Sequence, residues 1–194
     1  MTITLQTGLP DHLRADAARL YWQAFGGKLN LVMGPELRAL RFLQRVIRAD
    51  QVIVALGPEG NLLGIAGFKT PNGSFAAGQA DDLTAVYGEA GAFWRRRLLS
   101  WLSDDLDTAR FLLDGLCVDA DARSQGLGTA LLNAICTEAR ARGYSEVRLD
   151  VIDTNFRAIA LYKRLGFTVT ARQNIGLLRL VFGFSSALTM VRPV

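Results

Sequence analysis

Cysteine, histidine and long apolar runs are all scarce in this chain of 194 residues, which holds two cysteines and one histidine. Cys117 and Cys136 are too few and too far apart to form a disulfide framework or a zinc site, so we expect no metal. No apolar run reaches the roughly 18 to 20 residues that span a bilayer, so we expect no membrane contact. The N-terminus lacks the basic start and the apolar run of a secretory signal, which predicts a cytoplasmic protein.

The basic excess is small, since 22 lysines and arginines against 18 acidic residues give a net charge of +4. The basic residues are scattered without an aromatic and basic recognition motif, so we expect no nucleic acid partner. A small polyanionic cofactor is the simpler explanation. The one local run, Arg95 to Arg97, predicts a solvated helix face. The length fits a single domain, residues 1–194, and is short for two.

The first part of the chain predicts a strand, two helices and a β-hairpin, because alternating and helical apolar periods follow one another. The predicted ranges are 3–8 for the strand, 11–25 and 36–50 for the helices, and 51–56 with 62–69 for the hairpin. Gly26 and Gly27 predict a turn between the two helices. A third helix, in a segment from Leu83 to Asp107, reads as a helical insertion before the fourth strand.

The second part predicts a βαβ unit made of strand 111–118, a glycine turn, helix 128–142 and strand 146–152. A short helix at 155–165 stops at Gly166, and strands at 167–171 and 187–191 follow. Together these elements predict an α/β fold built on a mixed sheet.

The glycine turn of the βαβ unit reads Arg-Ser-Gln-Gly-Leu-Gly-Thr from Arg123 to Thr129. Gly126 and Gly128 let backbone N–H groups approach an anion at a helix N-terminus, although a tight turn without a ligand also explains them. The turn contains neither Gly-x-x-x-x-Gly-Lys-Ser/Thr nor Gly-x-Gly-x-x-Gly, which excludes a P-loop NTPase and a Rossmann enzyme.

Two sequence motifs lie in the second part of the chain. The first is Arg-x-x-Gly-x-Gly at Arg123, preceded by Leu-x-Val at Leu116. The second is Asn-x-x-Ala-x-x-Leu-Tyr-x-x-x-Gly-Phe, from Asn155 to Phe167. Both resemble motifs of the GNAT superfamily of N-acetyltransferases. The resemblance covers 112–167 and departs from the pattern at Ala120, where a proline is common. It implies the GNAT acyl-CoA N-acyltransferase fold, to which the helical insertion is an addition.

The resemblance implies acetyl-CoA as cosubstrate. The backbone amides of Gln125, Gly126, Gly128 and Thr129 would bind the coenzyme A pyrophosphate, Arg123 would add positive charge, and the pantetheine arm would lie between splayed strands. The residues implied in coenzyme binding are Leu116, Cys117, Val118, Arg123, Ser124, Gln125, Gly126, Leu127, Gly128, Thr129, Asn155, Ala158 and Tyr162.

Two residues of the motifs are candidates for the chemistry of transfer. Gly115, inside an apolar strand, predicts a bulge, and the resemblance implies that this bulge aims the N–H of Leu116 at the thioester carbonyl. The resemblance makes Tyr162 the general acid for the leaving thiolate, whereas its helical pattern alone favours a core aromatic.

Asp114 is the candidate general base, because a carboxylate inside an apolar strand is costly unless it is paired or used. By simple alternation it shares pleat parity with Leu116. The alternative is a structural ion pair, for instance with Arg148 on the adjoining strand. Cys117 lies among apolar residues, which favours an inert thiol and direct transfer over an acyl-cysteine.

The sequence therefore predicts an enzyme that moves an acetyl group to a primary amine, on a small molecule or a protein N-terminus, through a ternary complex. A non-catalytic acyl-CoA sensor is the alternative. The first two helices and the insertion are expected to form the acceptor pocket. Its candidate aromatic lining is Trp22, Phe25, Trp94 and Trp101. Core packing is the alternative use of most of these rings, and a monomer and a homodimer are both open.

Overall fold

The computed structural model describes residues 3–76, 78–103, 109–176 and 183–194, and within these ranges eight strands form one sheet. The strands are β1 (Thr4–Thr7), β2 (Val52–Leu56), β3 (Leu62–Thr70), β4 (Gly73–Ser74), β5 (Phe111–Val118), β6 (Glu146–Ile152), β7 (Thr168–Asn174) and β8 (Ser186–Pro193). The helices are α1 (Arg14–Met33), α2 (Glu36–Val46), α3 (Ala80–Ser103), α4 (Leu127–Ala141) and α5 (Phe156–Arg164). The predicted mixed α/β class is confirmed.

The sheet has the strand order β1-β2-β3-β5-β6-β8-β7, and β4 pairs with β3. β5 and β6 are parallel, and the other neighbouring strands are antiparallel. A parallel pair requires a crossover connection, which here is α4. This arrangement is the βαβ unit predicted from the sequence.

Helices cover both faces of the sheet, as the alternation along β2 shows. Val52 and Val54 belong to a core shared with α1, α2 and α3, whereas Ile53 and Ala55 belong to a core shared with α4 and α5. Successive side chains of a strand point to opposite faces. The first three helices therefore lie on one face and the last two on the other.

The prediction of a turn at Gly26 and Gly27 is wrong, because α1 continues through both glycines to Met33. A Cβ on Gly26 would come 2.7 Å from the Trp22 ring. Glycine at this position therefore lets the buried indole pack against the helix backbone. Close packing, rather than freedom to turn, explains the residue.

α3 is a helix before β5, as predicted, with a kink at Gly88, where φ is 70°. It packs on α1 and α2. The last part of the predicted insertion, residues 104–108, lies outside the described residues. Of the helices in the described ranges, none is long and apolar enough to cross a lipid bilayer.

Arg95 of α3 is not on a solvated face, contrary to the sequence prediction. Its Nε donates to the carbonyl oxygen of Val32 at 2.6 Å, and its guanidinium lies 4.0 Å from the centroid of the Tyr87 ring. The last carbonyls of a helix have no partner within the helix. Arg95 therefore satisfies the C-terminal end of α1 and ties α3 to it.

Candidate active site

A cavity of about 920 Å³ opens where β5 and β6 separate. The two strands pair only from Phe111 opposite Val147 to Leu113 opposite Leu149. Beyond that point β5 remains paired with β3, and β6 remains paired with β8. Residues of α1 line the cavity from one face of the sheet, and residues of α4 and α5 line it from the other. The cavity therefore passes between the two strands.

A β-bulge lies in β5 at the edge of this cavity. Gly67 of β3 faces Gly115, and Phe68 faces Leu113, which leaves Asp114 as the extra residue. The bulge is where the glycine at 115 predicted one. It interrupts the alternation of side chains along β5.

The bulge places Asp114 on the α1 face of the sheet. Its carboxylate accepts a hydrogen bond from Ser74 Oγ at 2.5 Å, and Phe75, next to Ser74, belongs to the core under α1. Leu116, in contrast, packs against the core under α4. The predicted shared parity of Asp114 and Leu116 is wrong, because one extra residue reverses every later side chain.

The contacts of Asp114 bear on both of its predicted roles. The Arg148 guanidinium pairs with Asp150, with 3.1 Å between Nη2 and Oδ2, whereas Asp114 is hydrogen-bonded to Ser74. Burial raises the pKa of the Tyr21 phenol well above its usual value, and the negative charge of Asp114 raises it further. Asp114 therefore lies in the cavity beside a neutral phenol, with Ser74 as a hydrogen-bond partner.

The backbone of Leu116 faces the gap between the strands. The N–H of Asp119 donates to Leu63 of β3 at 2.9 Å, and the carbonyl of Val118 accepts from Arg123 Nε at 3.2 Å. In an antiparallel ladder, successive residues direct their N–H and C=O groups alternately towards and away from the partner strand. Val118 and Leu116 therefore direct theirs away from β3, into the cavity.

The N-terminus of α4 is the second backbone feature of the cavity. No side chain caps this end, and its first turn holds no acidic residue. Gly126, the N-cap, has φ of 82°, a left-handed conformation that favours glycine. Gly128 lies against α5, and a Cβ there would come 3.1 Å from Leu161. The free N–H groups and the positive end of the helix dipole can therefore bind an anion closely.

Arginines surround this helix end. Arg123 Nε is held by the carbonyl of Val118, and Arg157 Nη2 donates to Ser124 Oγ at 2.8 Å. Arg164 also lines the cavity. The sequence analysis missed Arg157 and Arg164, because both occupy unspecified positions of the α5 motif. Their common signal is their place on the helix that carries Asn155 and Tyr162.

Tyr162 lines the cavity and is 8% exposed. Burial raises its pKa to about 12, and Cys117 contributes to the rise. Within the described part of the chain, its hydroxyl has no hydrogen-bond partner. The phenol therefore keeps its proton at neutral pH and presents it to the cavity. Burial also raises the pKa of the Cys117 thiol, which argues against a thiolate nucleophile.

Asn155 has a structural task at the start of α5. It is the N-cap residue, and its Oδ1 accepts from the N–H of Ala158 at 3.2 Å. The sequence analysis began the helix at Asn155. The structure instead begins the helix at Phe156, so the Asn155 oxygen is engaged with the helix backbone.

The structure brings most of the predicted site residues together around the cavity. Those from β5 are Asp114, Leu116, Cys117 and Val118. Those from the glycine turn are Arg123, Ser124, Gly126, Leu127, Gly128 and Thr129. Those from α5 and its cap are Asn155, Ala158 and Tyr162. Gln125 is not in this lining, and its Nε2 donates to the carbonyl of Asp121 at 3.2 Å.

The α1 side of the cavity was only partly foreseen. Its residues are Tyr21, Gln23, Ala24, Phe25 and Leu29. Neither α2 nor the described residues of α3 contribute to the lining, contrary to the predicted pocket. Trp22 is buried in the core, Trp94 stacks with Arg95, and the Trp101 side chain lies outside the described residues.

The fold, the open βαβ pair and the uncapped glycine turn agree with the comparison of the sequence with known families. The chain belongs to the Acetyltransferase (GNAT) family, whose sequence profile matches residues 15–167. The match extends well beyond the two motifs, because it includes α1, α2 and the first hairpin.

Individual relatives agree with this assignment. The [Ribosomal protein bS18]-alanine N-acetyltransferase of Escherichia coli (strain K12) is 44% identical over 63 residues, which cover 32% of this chain and 43% of that protein. The chain thus spans less than half of that relative's length.

Two solved structures share the fold. The mosquito arylalkylamine N-acetyltransferase like 5b superposes with a TM-score of 0.65 at 19% identity, covering 100% of both chains. YncA, a putative acetyltransferase from Salmonella typhimurium solved with acetyl-CoA, has a TM-score of 0.62 at 20% identity, covering 100% of this chain and 94% of its own. At these identities the likeness establishes the fold.

Proposed function

We propose that this chain is an acetyl-CoA-dependent N-acetyltransferase that acetylates a primary amine in a ternary complex. One observation carries the proposal: an uncapped helix N-terminus and the backbone of Leu116 open onto the same cavity between two splayed parallel strands. The first can bind a phosphate anion and the second can bind an oxyanion. The name of the Escherichia coli relative, an alanine N-acetyltransferase, supports the same activity.

The pyrophosphate of coenzyme A fits the N-terminus of α4. In this proposal the amides of Gln125, Gly126, Gly128 and Thr129 would bind it, and Arg123 and Arg157 would neutralise its charge. Glycine at 128 leaves the space that a Cβ would take beside Leu161. The pantetheine arm then runs between β5 and β6, where it replaces the missing strand pairing.

Transfer is direct. The nitrogen of the acceptor amine attacks the thioester carbonyl carbon, and the Leu116 N–H binds the oxyanion that forms on the carbonyl oxygen. Asp114 takes the proton that the ammonium form of the amine must lose before attack. When the carbon–sulfur bond breaks, the Tyr162 hydroxyl gives its proton to the thiolate, and the nitrogen loses its second proton to solvent, which yields the neutral amide and free coenzyme A. The Tyr162 phenolate then takes a proton from solvent, and Asp114 releases the one it took from the ammonium.

The test is the release of coenzyme A thiol from acetyl-CoA in the presence of a panel of primary amines. An enzyme releases thiol with at least one amine, and the Tyr162→Phe variant slows that release. A sensor module binds acetyl-CoA in calorimetry and releases none, and this result would overturn the proposal. A cytoplasmic location and the choice between monomer and homodimer stay predictions.

A further inference from the structure

The cavity has an aromatic side that the acetyl transfer itself does not explain. Tyr21, Phe25 and Leu29 of α1, with Phe184, line it on the face opposite α4. The polar residue of α1 in this lining is Gln23, which is exposed. Among the described residues, this side therefore offers mainly apolar surface.

Two of these rings lie directly at the bulge of β5. The Tyr21 and Phe25 ring centroids are 4.6 Å apart, with the planes inclined at 44°. A Cβ on Gly115 would come 3.3 Å from both rings. Because Gly115 precedes Leu116, the rings border the point where the acyl group is transferred in the proposed mechanism. An amine that reaches the acyl group from the α1 side therefore contacts these rings.

Charge is distributed unevenly around the cavity. Its described arginines, Arg123, Arg157 and Arg164, come from the glycine turn and α5, on the coenzyme side. Asp114 lies on the α1 side. Asp150 also lines the cavity, but its carboxylate is bound by Arg148 at 3.1 Å and by Thr189 Oγ1 at 2.5 Å.

This distribution favours a cation at the bulge. The carboxylate of Asp114 attracts an ammonium placed beside it, and aromatic rings such as those of Tyr21 and Phe25 attract cations as well. A polar or doubly charged body behind the ammonium would instead lose water against the aromatic side without a new partner there. The site thus favours a ligand with an ammonium at one end and an apolar body at the other.

We infer that the acceptor is a primary monoamine with an aromatic or otherwise apolar body, its ammonium at Asp114 and its body against Tyr21, Phe25 and Leu29. The inference rests on the proposed function and narrows its acceptor. It separates such amines from polyamines and from small polar amines.

The first experiment compares acceptors on the wild-type protein by thiol release from acetyl-CoA. 2-Phenylethylamine and ethanolamine share the aminoethyl group and differ in a phenyl against a hydroxyl, and putrescine adds a second ammonium. Because apolar contacts change kcat/KM by roughly 10-fold or more, 2-phenylethylamine should exceed both others by at least ~10-fold. An equal or higher kcat/KM for ethanolamine or putrescine would overturn the inference and leave the proposed function standing.

The second experiment locates the preference. Phe25→Ala should lower the ratio of the 2-phenylethylamine to the ethanolamine kcat/KM by roughly 10-fold, with unchanged acetyl-CoA affinity in calorimetry. Phe93→Ala is the matched control, because Phe93 is 67% exposed on α3 and does not line the cavity. An unchanged ratio in a Phe25→Ala protein that still binds acetyl-CoA contradicts the inference. Failure of every amine to release thiol overturns the proposed function, and the inference with it.

Discussion

The two sides of the cavity are built in different ways. On the α4 and α5 side, the backbone amides and Arg123 come from one glycine turn, and Arg157 and Arg164 come from one short helix. On the α1 side, Tyr21, Phe25 and Asp114 come from distant parts of the sequence and meet only through the bulge of β5. Local motifs therefore encode the side that we propose binds acetyl-CoA, whereas tertiary packing encodes the side that we propose selects the acceptor.

The first prediction tests the anion site on the α4 side, where the whole bound cosubstrate is at stake. Gly128→Glu adds a negative charge, and a Cβ close to Leu161, where the pyrophosphate approaches. Charge-assisted hydrogen bonds contribute ~1.5–3 kcal/mol each, so acetyl-CoA affinity should fall at least ~100-fold, about 2.7 kcal/mol. Gly27→Glu is the control, since a Cβ there meets nothing within 4 Å and the residue does not line the cavity. Unchanged acetyl-CoA affinity in a folded Gly128→Glu protein would show that the N-terminus of α4 does not bind the pyrophosphate.

The second prediction concerns Tyr162, the proposed general acid, which lies on the same side of the cavity. Tyr162→Phe keeps the buried ring and removes the hydroxyl, so kcat should fall ~10²- to 10⁴-fold while acetyl-CoA affinity changes little. Tyr144→Phe is the control, because Tyr144 packs on Phe111 and does not line the cavity. Equal kcat values for the two variants would make Tyr162 a packing residue.

The third prediction tests Asp114, the proposed general base on the α1 side, through a smaller and pH-dependent loss of activity. Asp114→Asn should lower activity up to ~100-fold below the pKa of the acceptor amine, with partial recovery above it, where free amine no longer needs a base. Ser74→Ala removes the hydrogen bond to the carboxylate but keeps the base, so its loss of activity should be smaller than that of Asp114→Asn. One constant loss at every pH in Asp114→Asn would show that Asp114 has a structural role.

The smallest expected effect comes from a comparison of the N-termini of α4 and α5. α5 is capped by Asn155 and α4 is uncapped, so Asn155→Ala should reduce the free energy of unfolding by about 1 kcal/mol. Urea denaturation measures the loss, with Thr154→Ala, an exposed neighbour, as the control. A loss of acetyl-CoA affinity without any loss of stability would instead make Asn155 a ligand of the cosubstrate.

The sequence predicted the coenzyme side well because its signals are local. Range 146–152 for β6 matches the structure, α4 begins one residue before its predicted start, and Gly166, with φ of 85°, follows the end of α5. A glycine turn, a helix period and a stop residue each act on their immediate neighbours. Their effects do not depend on contacts with residues far along the chain.

The α1 side was less predictable because its signals depend on partners far along the chain. Gly26 was predicted to form a turn, because its packing against the Trp22 ring is seen only in the structure. β4 was not predicted, because its two residues are too few to show the alternation of a strand. Parity placed Asp114 beside Leu116 because a count of alternating positions takes no account of an extra residue. Arg95 read as solvated because nothing in its own helix shows that it binds the end of α1.

The alternation of backbone directions in β5 has a consequence for isotope exchange. The N–H groups of Gly115 and Cys117 point to β3, whereas those of Leu116 and Val118 point into the cavity. In the free protein, deuterium should therefore enter one strand in an alternating pattern, quickly at Leu116 and Val118 and slowly at Gly115 and Cys117. Acetyl-CoA should slow the two fast amides selectively, so amide exchange would report the bound thioester residue by residue.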